Sequence, residues 1–334
     1  MKETKLKFGV IGSGSWATAL IKILSEKNGD INWYIRNVEN IDFIKKNSHN
    51  PNYLSSVELN LKKLNISAEI NEVVETSNVI IIAVPSEYVN KEMKKIDMDI
   101  SNKIIICAFK GLVPGTDLLF GEYMQKHFDI SPNKFLVIGG PCHAEEVALE
   151  KLSYLTIGSS NIKLCKVISK KFSCKYIKVK ASDDVIGIEY ASMLKNIFAL
   201  AVGISNGLGY GDNYQSVLMS NSVKEMKRFI SKRHKIKRNI NNSAYLGDLL
   251  VTGYSSFSRN RMFGDMIGKG YTVKAAQLEM KMVAEGYIAT KKAYLLNLDS
   301  KKKARTPIID AAYKILYEKR DAKKIFKDLS DIIF

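Results

Sequence analysis

A short apolar run from Leu6 to Ile11 ends in Gly12-Ser13-Gly14-Ser15-Trp16-Ala17, and from Trp16 to Lys27 the apolar residues Ala19, Leu20, Ile23 and Leu24 recur at helical spacing. Strand, glycine turn and helix in that order form the pattern G-x-G-x-x-G/A in the context that gives it meaning. The first glycine makes the tight turn, the second lets the backbone approach a pyrophosphate, and the third, small residue allows close helix packing. The phosphates then rest on the helix N-terminus, whose free N–H groups and dipole favour negative charge. Gly12, Gly14, Ser15 and Trp16 are therefore predicted to bind a dinucleotide. About 20 residues further on, an NAD-specific site often carries Asp or Glu for the ribose 2′-hydroxyl, whereas this chain has Tyr34-Ile35-Arg36-Asn37. Arg36 can pair with a 2′-phosphate instead, so the expected cofactor is NADP or NAD, with NADPH preferred.

Near-continuous apolar runs follow at Ile31 to Ile35, Val79 to Pro85, Lys103 to Phe109, Phe135 to Ile138 and Ser153 to Ile157, separated by polar helical segments. Runs of that kind are strands buried on both faces of a parallel sheet. Ser86, after Ala83-Val84-Pro85, reads equally as a nicotinamide-lining residue or a helix cap. From Gly187 to Ile204 the chain reads as one long apolar helix, and Val217 to Arg228, Val273 to Tyr294 and Ile308 to Glu318 are helical as well, with Lys232 to Asn242 a basic exposed loop. The predicted fold class is α/β: an N-terminal Rossmann-like doubly wound sheet over residues 1–186, and an all-helical C-terminal domain over residues 187–334 that binds substrate. A chain of 334 residues has length for about two domains.

The 51 Lys and Arg against 34 Asp and Glu give a net charge of +17, which would attract polyanions or phosphorylated metabolites. The lysines are scattered, with no long basic arm, so most of this charge reads as a solvated surface. Cys107, Cys142, Cys165 and Cys174 show no metal-binding spacing and the four histidines are dispersed, so no metal is predicted. With no signal-like N-terminus and no run near the ~18 apolar residues of a membrane span, the chain is expected to be cytoplasmic and without stable membrane insertion.

Seven stretches together carry a resemblance: GVIGSGSWATAL, AVPS, FKGL, GGPCHAEEVA, EYASMLKNIFALAVGISNGLGYGDN, GDLLVTGYSSFSRNRMFG and VAEGYIAT, spread from residue 8 to about 320. In order and approximate spacing they are similar to the bacterial type of NAD(P)-dependent glycerol-3-phosphate dehydrogenase. The resemblance implies an oxidoreductase that interconverts dihydroxyacetone phosphate and sn-glycerol 3-phosphate and so supplies glycerophospholipid biosynthesis. Such chemistry needs a positioned acid for the developing alkoxide and cations for the phosphate.

Lys195 shares a helix face with Ile188, Ala191, Ala199 and Val202. Burial disfavours a lysine's charged form, which suits general acid/base work, although a lysine on a core helix can also snorkel to solvent. The resemblance implies Lys195 as proton donor or acceptor and Asn196 as its neighbour orienting substrate or lysine. Asp248 is implied to position the lysine, with Thr252 one turn later on the same face, although an Asp after Gly is by itself usually an N-cap. Lys110 is implied as a second cation shared by substrate and cofactor. Arg259, flanked by Ser258 and Asn260, is the implied phosphate ligand, because a guanidinium fork grips phosphate bidentately. The loop Gly139 to Glu145 is implied to touch substrate through Gly140 and residue 142, and cofactor through Ala144; Val283 and Glu285 are implied as late cofactor contacts, as is Arg259. Three positions depart from the family pattern. Cys142 stands where Ser or Thr is usual and is the weaker donor; His143 and Phe109 read as packing substitutions.

Two rivals remain at this stage. One is a β-hydroxyacid dehydrogenase relative acting on another 2-hydroxy substrate, against which the Ser258-Arg259-Asn260-Arg261 stretch argues for a phosphate. The other is a dinucleotide-sensing or nucleic-acid-binding protein, for which the net charge is the sole support. The expected partner is a small phosphorylated molecule, with no specific nucleic acid; a homodimer is the assembly left open.

Overall fold

Eight strands build one sheet: β1 (Phe8–Ile11), β2 (Ile31–Tyr34), β3 (Leu64–Ser67), β4 (Val79–Ile82), β5 (Ile104–Cys107), β6 (Phe135–Gly139), β7 (Ser153–Gly158) and β8 (Ile177–Ser182). Their spatial order is β3-β2-β1-β4-β5-β6-β7-β8. In the computed structural model, which describes residues 6–280 and 284–333, the chain divides into two units, Met1–Val185 and Ile186–Phe334, and this sheet lies in the first. Helices α1 (Ser15–Lys27), α2 (Val38–Asn47), α3 (Ile70–Glu75), α4 (Ser86–Met93), α5 (Phe120–Phe128), α6 (Ala144–Ala148) and α7 (Ile162–Phe172) connect the strands. Strands β1, β2 and β4 are buried throughout; β1 and β4 are apolar without a break, and β2 is interrupted by Asn32, whose side chain donates to the Ser77 hydroxyl at 2.9 Å.

The chain runs outward from β1 in one direction through β2 and β3, then returns to place β4 on the other side of β1. That reversal is the switch point at which open α/β sheets bind ligands, beyond the carboxyl ends of the strands. Two strands were not expected from the sequence. β3 and β8 are edge strands with partly exposed faces, so Leu64–Ser67 and Ile177–Ser182 lack the continuous apolar run of the interior ones. The sheet is doubly wound as expected and mostly parallel: β7 pairs antiparallel to β6, while the remaining neighbours are parallel.

The second unit is helical among its described residues: α8 (Val185–Gly207), α9 (Asp212–Arg233), a π-helical turn at Ser243–Gly247, α10 (Asp248–Tyr254), α11 (Arg259–Gly268), α12 (Val273–Glu279), α13 (Glu285–Leu298), α14 (Pro307–Leu316) and α15 (Ala322–Ile332). The single helix expected from Val273 to Tyr294 is two. Met280 is extended (φ −84°, ψ 122°), and α13 begins anew where the Gly286 amide donates to Asn260. The expectation that no segment is long and apolar enough to cross a membrane is corrected by α8. It is 23 residues long with a mean hydropathy of 1.5 in its best window, and 89% of that window is buried within the protein. Every residue from Gly187 to Ser205 is buried, so α8 has no polar face on which a lysine could snorkel.

What holds α8 against α11 is bare backbone. Gly203 and Gly207 on α8 meet Gly264 and Gly268 on α11: a Cβ on Gly203 would overlap the Arg261 carbonyl oxygen, and one on Gly264 the Leu200 carbonyl oxygen. Four glycines at a spacing of four on each helix thus remove the side-chain layer that normally sets the distance between packed helices. Gly264→Ala is expected to force the helices apart and destabilise the protein by about 1–3 kcal/mol or more, the usual cost of overpacking. Urea denaturation measures this; an unchanged midpoint would show that the contact yields freely.

Candidate active site

The glycine turn leaves β1 at the switch point. Gly12 has φ +125°, and a Cβ there would lie 2.5 Å from the Ala83 carbonyl oxygen just beyond β4, so only glycine fits. Its own carbonyl accepts from the indole of fully buried Trp33 at 2.7 Å. Buried Asn50 donates to the Ser13 carbonyl at 3.0 Å and to the Thr18 hydroxyl at 2.9 Å. Gly14 is the N-cap of α1 and gives it no side-chain cap; no acidic residue lies in the first turn, where Ser15 and half-buried Trp16 stand. A Cβ on Gly14 would meet nothing within 4 Å. An uncapped helix N-terminus opening onto free space fits the pyrophosphate of a dinucleotide. Trp33 and Asn50 escaped the sequence reading: both lie far from the motif in sequence and reveal their role only through these hydrogen bonds.

Arg36 lies two residues beyond β2, with its side chain mostly exposed. Glu92 on α4 sits 3.9 Å from Arg36. Glu92 is already engaged, accepting from the Tyr34 hydroxyl at 3.1 Å and from the Lys95 ammonium at 2.7 Å, and burial pushes the Tyr34 phenol above its ordinary range. Arg36 therefore keeps its fork directed to solvent with its charge only loosely compensated. Elsewhere in this unit, half-buried Lys110 follows β5, and Gly140 (φ +106°) follows β6 with its Cβ position against the Tyr154 carbonyl. Cys142 is a partly buried cysteine, and buried Ala144 opens α6 behind the N-cap His143.

In the second unit the structure brings Lys195 and Asp248 together. Lys195 on α8 is 3% exposed and Asp248 on α10 is 2% exposed, and the ammonium donates to Asp248 Oδ1. Isolated, either charge would be costly to bury; paired, each offsets the other's desolvation. Asp248 is no simple cap, because Gly247 before it is already helical (φ −62°, ψ −45°) and the π-helical turn runs directly into α10. Thr252 lies one turn on, buried, with its hydroxyl donating to the Asp248 carbonyl at 2.6 Å. That bond steadies the turn bearing the carboxylate.

A second cluster joins three helices. Asn196 Nδ2 donates to Glu285 Oε2 at 3.5 Å, and Asn260 Oδ1 accepts from the Gly286 amide at 2.8 Å. A Cβ on Gly286 would lie 2.5 Å from the Asn196 carbonyl oxygen, so α13 starts in backbone contact with α8. Asn260, expected to face the phosphate, is buried and spends its carbonyl on α13, which leaves its amide N–H groups for a ligand. Ser258 is the N-cap of α11, accepting from the Arg261 amide at 3.3 Å. Arg259, the first residue of α11, is exposed. A cation at the positive end of a helix is electrostatically misplaced unless an anion joins it. Val283 lies outside the described residues.

Comparison with known proteins agrees with this arrangement. Residues 7–165 match the N-terminal model of the NAD-dependent glycerol-3-phosphate dehydrogenases, and residues 184–327 match the C-terminal model. The chain is 34% identical over 324 residues to a glycerol-3-phosphate dehydrogenase [NAD(P)+] of Clostridium botulinum, covering 97% of this chain and 96% of the relative. It is 34% identical over 313 residues to the enzyme of the same name from Bacillus velezensis, covering 93% and 90%. The crystal structure of glycerol-3-phosphate dehydrogenase from Coxiella burnetii superposes with a TM-score of 0.88 at 28% identity, over 98% of this chain and 99% of that one.

The pairing of Lys195 and Asp248 has a measurable signature. Lys195→Met strands a buried carboxylate and is expected to cost about 3–5 kcal/mol of stability, whereas Lys195→Met with Asp248→Leu recovers most of that loss. Additive losses in urea denaturation would show that the two groups are energetically independent.

Proposed function

Since the chain belongs to the NAD-dependent glycerol-3-phosphate dehydrogenase family, we propose that it interconverts dihydroxyacetone phosphate and sn-glycerol 3-phosphate through the residues described above, and that it supplies the glycerol backbone of phospholipids from the cytoplasm. Residues 1–186 are assigned to the cofactor and residues 187–334 to the substrate. The observation that carries this reading is the buried Lys195 ammonium, held by Asp248 on a helix whose partner α11 presents Arg259.

The nicotinamide, when bound, supplies or accepts the hydride. Lys195 Nζ protonates the substrate oxygen as negative charge develops there, and in reverse takes that proton back. Asp248 keeps the ammonium aimed, Thr252 keeps Asp248 in place, and Asn196 orients the lysine or the substrate. Arg259 grips the phosphate with two parallel N–H groups, helped by the free first-turn amides of α11, by Ser258 and by the Asn260 amide. Lys110, Gly140 and Cys142 complete the substrate contacts. Gly12, Gly14, Ser15 and Trp16 hold the pyrophosphate, and Ala144, Val283 and Glu285 are further cofactor contacts, as are Lys110 and Arg259. The mostly exposed Arg36 fork suits a 2′-phosphate and supports a preference for NADPH.

Oxidation of NADPH by dihydroxyacetone phosphate, followed by absorbance, tests the assignment. Lys195→Ala is expected to lower kcat by roughly 10²–10⁴-fold, the range of a lost general acid. Arg259→Ala is expected to raise KM about ten- to a hundredfold, as for a lost charge-assisted phosphate contact; an unchanged KM refutes its role. For the cofactor, Arg36→Ala is expected to raise the KM for NADPH while leaving that for NADH nearly constant, and a wild-type KM far lower for NADH than for NADPH would overturn the preference.

A further inference from the structure

The second unit contains a concave site that the proposed chemistry does not use. A cavity of about 640 Å³ opens between the end of α11, the start of α12, the end of α14 and the start of α15. Its volume falls within the range of small-molecule sites. Its floor is apolar, formed by Leu208, Ile267, Ile315 and Leu316. Three tyrosines wall it: Tyr271, which is half exposed, and Tyr287 and Tyr317, whose rings stack at 4.7 Å. The Tyr317 hydroxyl donates to the Tyr287 carbonyl at 2.8 Å, which fixes this wall to the first turn of α13.

The rim is cationic. Lys274, Lys319, Arg320 and Lys323 line it against a single carboxylate, Asp321. Asp321 Oδ1 accepts the Lys324 amide at 2.7 Å, and Arg320 is partly compensated by Glu318 at 3.6 Å, while the three lysines enter no ion pair among the described residues. An apolar, ring-lined floor beneath an ammonium-rich rim is complementary to a molecule with a flat or apolar body and one anionic group. We propose that this cavity binds a small amphipathic anion, an aryl or acyl body bearing one phosphate or carboxylate, at a place separate from Lys195 and Arg259.

Such a ligand would bias the substrate side. The cavity takes Ile267 and Gly268 from the end of α11, the helix whose first residue is Arg259. It takes Tyr287 from the turn of α13 in which Gly286 is tied to Asn260. Occupancy therefore acts on both elements that hold Asn260, and it is expected to alter the KM for the phosphorylated substrate; this second step rests on Arg259 and Asn260 binding that phosphate.

The test uses 1-naphthyl phosphate as probe, with the full-length protein saturated by NADPH and glycerol 3-phosphate, two reduced partners that cannot react with each other, so that the reaction site is filled. Isothermal titration is expected to show about one probe bound per chain, with 1-naphthol and inorganic phosphate each at least about tenfold weaker, a gap that one lost polar or apolar contact set would produce. Tyr271→Ala and the pair Lys274→Glu with Lys323→Glu lie on exposed positions and should fold normally, with kcat unchanged in the absence of probe; each is expected to weaken binding by about tenfold or more. Probe binding that vanishes when NADPH and glycerol 3-phosphate are saturating, or that is equal in all these variants, overturns the site. Binding that persists while the probe leaves the KM for dihydroxyacetone phosphate unaltered overturns the coupling alone. Failure of turnover in the absence of probe would instead count against the proposed reaction, and the titration would still decide the site.

Discussion

Backbone contact between α8 and α11 sets the geometry of the second unit. With glycine at all four crossing positions, the two helices cannot slide or separate by exchanging side-chain rotamers, because no side chains lie between them. One helix carries Lys195 and Asn196, the other Arg259 and Asn260. The same restriction is repeated at Gly286, where α13 meets the Asn196 carbonyl and donates its amide to Asn260. Lys195, Arg259 and Glu285 are thereby mounted on helices whose separations are dictated by main-chain atoms. Preorganisation of this kind is what a reaction needs when its reacting atoms must be placed to within a fraction of an ångström.

Electrostatics supplies the complementary half. A fully buried α8 would reject an ammonium, and Lys195 is tolerated because Asp248 is delivered beside it by the π-helical turn that leads into α10. At the other end of the unit's chemistry the logic is inverted. Arg259 is left exposed on a positive helix end, a local excess of positive charge. One cation is paired within the protein and the other is open to solvent.

Much of this is legible in the sequence where a local rule operates. The glycine turn can be read because strand, turn and helix are contiguous, and β1 and β4 because strands buried on both faces are apolar without interruption. The edge strands β3 and β8 follow no such rule, and Val273 to Tyr294 reads as one helix because nothing local marks the tie between Gly286 and Asn260. Asn50 and Trp33 support the turn from 32 and 21 residues beyond their partners Thr18 and Gly12. Lys195 and Asp248, 53 residues apart, are a pair only in three dimensions. The glycines of α8 and α11 stand at regular spacing in the sequence, yet that spacing acquires meaning only once the two helices are known to cross.

The two tryptophans of the chain are both at the dinucleotide turn: Trp16 in the first turn of α1, and Trp33 with its indole N–H on the Gly12 carbonyl. All indole emission of this protein therefore originates within a few ångströms of a single loop, one fluorophore sealed in the core and one partly open to solvent. The molecule carries its own optical gauge of that loop, in which the wavelength and quenching of native fluorescence follow events at the glycine turn.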